Sequence, residues 1–278
     1  MIQLLRHYLL AVQFFTRIPV TGRLAEWVGY SPDMLRASAA HFPGIGVVVG
    51  GAAAAMFALL QLLLPDTTFT PLVAAAFSTV ATVWLTGGFH EDGLADVADG
   101  LGGSHDRDRA LEIMKDSRVG AFGAMALVLA LLCKVALLAL LGSVEAVPDA
   151  GEASAFSGWY VCAALWTGHI LSRGLPLVMI RLLPHVGDTA TSKSKPLADQ
   201  ISPGGLVIAF SWCFAALALA SIALDAINLI VACIFSVLAL LGLLRFFRRR
   251  LQGFTGDCLG TTQQVCEIAF YLGLAVSL

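Results

Sequence analysis

Seven stretches of this chain are apolar for about 20 residues each, and that repetition constrains the fold more than any motif does. A helix needs about 20 predominantly apolar residues to cross a bilayer, and a single-segment helix satisfies its own backbone there. The stretches run over about 41–64, 70–89, 120–142, 156–180, 205–224, 226–244 and 259–278. Charged residues make up only 13% of the chain against 58% hydrophobic, with a mean hydropathy of +0.83, which excludes an ordinary soluble domain. The sequence therefore predicts an all-α polytopic membrane protein with about seven transmembrane helices, forming one membrane-embedded domain over residues 1–278. Bilayer lipid is the expected surrounding partner. No basic stripe interleaved with aromatics marks a nucleic-acid surface, so nucleic acid is not expected.

Residues 1–20 carry Leu4, Leu5, Tyr8, Leu9, Val12 and Phe15 at helical spacing, with Arg6, His7 and Arg17 between them. That pattern predicts an amphipathic helix lying in the interface. A signal peptide is disfavoured by Arg17 and Pro19 and by the lack of a small-residue cleavage site. Glycines at 46, 50 and 51 suit close helix packing in the first span. The six cysteines form no CxxC pair and read as small hydrophobes.

The cations set the orientation. Four Lys/Arg precede the first span, four follow the second, four belong to the loop after the fourth if Arg173 and Arg181 are counted, and four follow the sixth. Alternate loops hold none, and Lys134 alone lies mid-span. This partition fits a cytoplasmic N-terminus. It places 90–118, 182–203 and 246–257 on the cytoplasmic face of a bacterial-type inner membrane, and 143–155 on the other.

Chemistry concentrates in Gly87-Gly88-Phe89-His90-Glu91-Asp92-Gly93-Leu94-Ala95-Asp96-Val97-Ala98-Asp99-Gly100. On a helix, Asp92, Asp96 and Asp99 share one narrow face at i, i+4 and i+7. Like charges so spaced repel, and a divalent cation would relieve them. Carboxylates without cysteine suit Mg2+, Mn2+ or Ca2+ better than zinc. The alternative is a solvated acidic face. His90 reads as a base, a ligand or a satisfied neighbour.

The other charged residues also admit two readings. Lys134 either snorkels outward or pairs with a carboxylate, with Glu267 as the candidate in the last span. Arg173 is an interfacial anchor or an anion contact. Lys193 and Lys195 lie in a loop of small hydroxyl residues, solvated or holding a phosphate. Asp257 is an ion-pair partner of the adjacent basic cluster or joins the acidic site, which requires the last span to pack against the end of the second.

The acidic run resembles the signature of the cobalamin synthase (adenosylcobinamide-GDP ribazoletransferase) family. Phe15-Thr16-Arg17-Ile18-Pro19, Phe42-Pro43-Gly44-Ile45-Gly46, Lys115-Asp116-Ser117-Arg118-Val119-Gly120 and Thr255-Gly256-Asp257-Cys258-Leu259-Gly260 resemble further motifs of that family, in its order. The position of Glu91 is not fixed as acidic in the family pattern. The resemblance implies a Mg2+-dependent transfer joining adenosylcobinamide-GDP to alpha-ribazole or its 5'-phosphate, with release of GMP. It implies a catalytic segment over 90–118, metal ligands Asp92, Asp96 and Asp99 with Glu91 as a fourth, and a base among the carboxylates, Asp257 or His90. Arg17, Lys115, Arg118, Arg173, Lys193 and Lys195 are the expected substrate contacts.

Two rivals predict different chemistry. A CDP-alcohol phosphotransferase is echoed by Asp92-Gly93-Leu94-Ala95, but Asp96 stands where that family has Arg and its later aspartate pair is absent. A cation transporter would carry more ionisable groups inside its spans.

Overall fold

A computed structural model describes residues 2–145, 158–187 and 200–278, with no β-strand among them. The amino-terminal helix α1 (Ile2–Phe15) buries Leu10, Ala11, Val12 and Phe15 and leaves Ile2, Leu4 and Leu5 exposed. Two short helices, α2 (Gly22–Val28) and α3 (Pro32–Ser38), lead into a 3-10 turn and the first long helix, α4 (Phe42–Leu63).

Then follow α5 (Thr70–Thr86), α6 (Phe89–Gly103), α7 (Arg107–Ile113), α8 (Ala121–Glu145), α9 (Trp159–Leu182), α10 (Pro203–Ala220), α11 (Ala226–Arg250) and α12 (Gly256–Val276). Starts are marked by residues that suit an unbonded amide end. Pro43 and Pro71 need no donor there. Ser202 and Thr255 accept from backbone amides three residues on.

The buried axis of the bundle is α9, which α4 crosses on glycines. A Cβ at Gly46 would lie 2.4 Å from the His169 carbonyl oxygen, and one at Gly50 2.9 Å from the Cα of Trp166. Gly51, expected to share this role, faces open space. The second enclosed helix is α12, which packs on α6, α8, α9 and α11. Exposed apolar side chains such as Leu129, Leu132, Ile230, Ile234 and Leu241 cover the exterior of the bundle, as a membrane-spanning protein requires. All six cysteines are free.

Five described helical stretches are long and apolar enough to cross a bilayer, and α5 with α6 passes only as a pair bent by 91°. The expected seventh span, α12, fails on apolarity, not length. Its 21 residues reach about 31 Å. Thr261, Thr262, Gln263, Gln264 and Glu267 are all buried against protein, so lipid never meets them. The second span also ends earlier than expected, at Thr86, because Gly87 and Gly88 both take positive φ (+74° and +71°) and turn the chain aside.

Candidate active site on the acidic helix

The bend at Gly87-Gly88 lays the acidic sequence across the end of the bundle as a separate helix. Arg17 braces the turn: its amide donates to the Leu85 carbonyl at 2.8 Å, and its side chain fills the space a Cβ on Gly87 would take. At the other end of α6, Arg250 donates to the Leu101 and Ser104 carbonyls at 3.1 and 2.6 Å. A cation on terminal carbonyls also complements the helix dipole. Arg107 returns the contact by donating to the Leu251 carbonyl at 2.8 Å.

Against this helix lies the start of α12, at backbone distance. A Cβ on Gly93 would stand 2.9 Å from the Asp257 carbonyl oxygen, and one on Gly260 3.2 Å from that of His90. Thr261 shares its hydroxyl proton between the Gly93 and Asp257 carbonyls, at 3.0 and 2.9 Å. The expectation that the last helix packs against the acidic stretch is met.

Asp92 is exposed, and Asp96 and Asp257 are half-buried. Burial raises the Asp96 carboxyl from 3.8 to about 7, and the charges of Asp257, Asp92 and Asp99 add to the shift. Asp257 is raised chiefly by burial and further by Asp92, while the Thr255 hydroxyl, donating to Oδ2 at 3.2 Å, opposes the shift. Asp92, Asp96 and Asp257 therefore form one electrostatically coupled cluster across the α6–α12 contact, and Asp257 belongs to it.

Two expected ligands point elsewhere. Asp99 accepts from the Gly120 amide through Oδ2 at 2.7 Å and from the Gly123 amide through Oδ1 at 2.8 Å. Both its oxygens cap the start of α8, the ordinary use of a carboxylate at free helix amides. Glu91 turns into the bundle, where its Oε1 accepts from Gln264 Nε2 at 3.0 Å. His90 is likewise buried, with its ring 5.7 Å from that of Phe42 and nearly parallel to it. It lines a cavity of about 40 Å3 with Phe42 and Gly260.

The basic residues separate into three groups. Arg17 sits at the amino-terminal turn of α6. Lys115 and Arg118 are exposed beyond its carboxyl end, where Arg118 pairs with Asp116 through two parallel contacts. Arg118 lines a cleft of about 530 Å3 with Asp99, Arg109 and Gly120. Arg173 is no interfacial anchor: it is 2% exposed, inside the bundle, donating from Nη1 to the His169 carbonyl at 2.9 Å. Lys193 and Lys195 lie outside the described residues.

Beneath the acidic helix runs a polar network that the sequence showed only in part. Lys134 Nζ meets Glu267 Oε1 at 2.6 Å with both side chains buried, the pairing expected for these two mid-span charges. Tyr271 donates to the same oxygen at 3.1 Å, and Gln263 to Oε2 at 2.6 Å. His169 Nδ1 is 3.3 Å from Oε2. His169 and Ser172 were missed as partners because nothing in an apolar span marks which polar residue faces inward.

The donor set suits a hard cation. Among the described residues no three His, Cys, Asp or Glu side chains converge as a preformed cage. Mg2+ does not need one: it keeps several waters and is usually held by one or two carboxylates plus substrate phosphates. Asp92, Asp96 and Asp257 are carboxylates of the kind such a cation takes.

The chain matches the family model for cobalamin-5-phosphate synthase over residues 7–275. It is 92% identical over 278 residues to the adenosylcobinamide-GDP ribazoletransferase of Polaromonas naphthalenivorans (strain CJ2), covering all of both chains. It is 74% identical over 277 residues to the protein of that name in Polaromonas sp. (strain JS666), covering 99% of this chain and 98% of the relative. The corresponding protein of Shewanella halifaxensis (strain HAW-EB4) is 40% identical over 97% of this chain and 94% of its own. No solved structure matches.

Proposed function

We propose the following reaction for this chain, which belongs to the cobalamin-5-phosphate synthase family and is an adenosylcobinamide-GDP ribazoletransferase of cobalamin biosynthesis. A ribose hydroxyl of alpha-ribazole, or of its 5'-phosphate, attacks the pyrophosphate of adenosylcobinamide-GDP at the phosphorus on the cobinamide side. The new P–O bond forms as the bond to GMP breaks. The hydroxyl proton passes to a carboxylate, and adenosylcobalamin or its 5'-phosphate is the product.

Mg2+ supplies charge neutralisation of the diphosphate, and Asp92, Asp96 and Asp257 would hold it. What supports this reading is the close backbone approach of Gly93 to Asp257, which sets Asp257 against the acidic helix. A carboxylate of this cluster that is not fully committed to the metal takes up the hydroxyl proton. Arg17, Lys115 and Arg118 flank the acidic helix at its two ends and supply cations for the phosphates. Lys193 and Lys195 are further phosphate contacts on sequence grounds.

The acidic helix faces the cytoplasm in this reading, because the Lys/Arg-rich loops lie on its side of a bacterial inner membrane. Purified protein given adenosylcobinamide-GDP, alpha-ribazole and Mg2+ should release GMP with a cobalamin product. A folded preparation that releases none, with either acceptor, overturns the assignment.

A further inference from the structure

We propose that Glu91 is a positioning residue, not a metal ligand: through Gln264 it ties the first turn of the acidic helix to the buried Lys134–Glu267 pair. The inference rests on the reading above for the role of the neighbouring acids.

Glu91 and Asp92 are consecutive on α6, so they project about 100° apart. Asp92 is exposed and Glu91 is buried, so only one of them meets solvent. The Gln264 side-chain amide spends both N–H groups, one on Glu91 Oε1 and one on Gln263 Oε1, each at 3.0 Å. Gln263 in turn donates to Ser172 Oγ at 3.0 Å and to Glu267 Oε2 at 2.6 Å. Glu267 is fixed by Lys134 and Tyr271. An unbroken run of side-chain contacts therefore leads from α8 and α9, through α12, to the residue beside Asp92.

The remaining oxygen of Glu91 is buried without a partner, as is Nε of Arg173. Glu91 thus faces into the bundle, where its bonded oxygen meets Gln264, away from the solvent-facing Asp92. A Gln at position 91 can still accept from Gln264, whereas an Ala cannot.

The test is a series of Glu91→Gln, Glu91→Ala, Gln264→Ala and the double Ala variant in detergent-purified protein. Readouts are kcat and KM for GMP release, Mn2+ binding by electron paramagnetic resonance, and melting temperature. Positioning predicts that Glu91→Gln keeps Mn2+ affinity and kcat within threefold of the parent. Gln264→Ala should lower kcat at least tenfold with KM within twofold, Glu91→Ala should do the same, and the double variant should be no worse than either.

A tenfold loss of Mn2+ affinity in Glu91→Gln, with Gln264→Ala unaffected, would make Glu91 a ligand and overturn the proposal. So would Ala variants that shift only the melting temperature. If Glu91→Ala does not accumulate, Glu91→Gln and Gln264→Ala decide. If the parent binds no Mn2+, the metal reading fails separately and the kcat-against-KM pattern still judges the positioning role.

Discussion

Asp257 begins α12 with its backbone carbonyl so close to Gly93 that a single methyl group on Gly93 would stand 2.9 Å from the oxygen. That contact brings a carboxylate from the last tenth of the chain to the helix that carries Asp92 and Asp96. It also makes the glycine as much a part of the site as the acids.

Gly93→Ala should push α6 off α12 and lower kcat by about a hundredfold, the cost of an ångström of misplacement at a reacting centre. Gly51→Ala, where a Cβ meets nothing within 4 Å, is the matched control and should leave GMP release unchanged. Equal activity in the two variants would show that the close approach is not needed.

Asp99→Ala should act on stability before it acts on metal. Loss of the two bonds to the Gly120 and Gly123 amides should cost about 1–3 kcal/mol and lower the melting temperature. Mn2+ affinity should stay within threefold. A collapse of that affinity at an unchanged melting temperature would return Asp99 to the ligand set.

Lys134→Met strands the Glu267 charge inside the bundle and should destabilise by about 3–5 kcal/mol. Lys134→Met combined with Glu267→Leu removes both charges and should recover much of that loss, seen as a higher melting temperature than the single variant in the same detergent. A double variant no more stable than the single one would mean that the pair is not the main term.

The pH dependence follows from Asp96. Its carboxyl is raised from 3.8 to about 7, so the metal-free folded state holds a proton there that the unfolded chain releases near pH 4. The sign is that Asp96 favours folding at low pH and loses this contribution as pH rises through about 7. A cation must displace the same proton. Apparent Mn2+ affinity should therefore rise by up to about tenfold per pH unit below 7 and flatten above it. Affinity flat from pH 5 to 8 would contradict the coupling.

Much of this was legible in the chain. Charge counting put Asp257 on the same side as Asp92, and depth along the last span matched Glu267 to Lys134, because both inferences depend only on helical rise and on where cations stop. The direction of individual acids was not legible. Helical spacing grouped Asp99 with Asp92 and Asp96, but its oxygens went to the start of α8, 22 residues on, which has no signature that names its cap. Glu91 read as a fourth acid of the cluster because sequence does not say which face of α6 docks on α12. The diglycine was visible as a breaker, yet the right-angle turn required both residues to take positive φ. Arg173 counted as a loop cation until its burial was seen.

Asp257→Asn, assayed for GMP release across a Mg2+ titration, tests the central claim most directly, since no local pattern joins Asp257 to the acidic run. The account predicts a loss of at least a hundredfold in kcat at the parent's optimum and a half-saturating Mg2+ raised at least tenfold, with the melting temperature little changed. Parent-like turnover and Mg2+ dependence in that variant would contradict it.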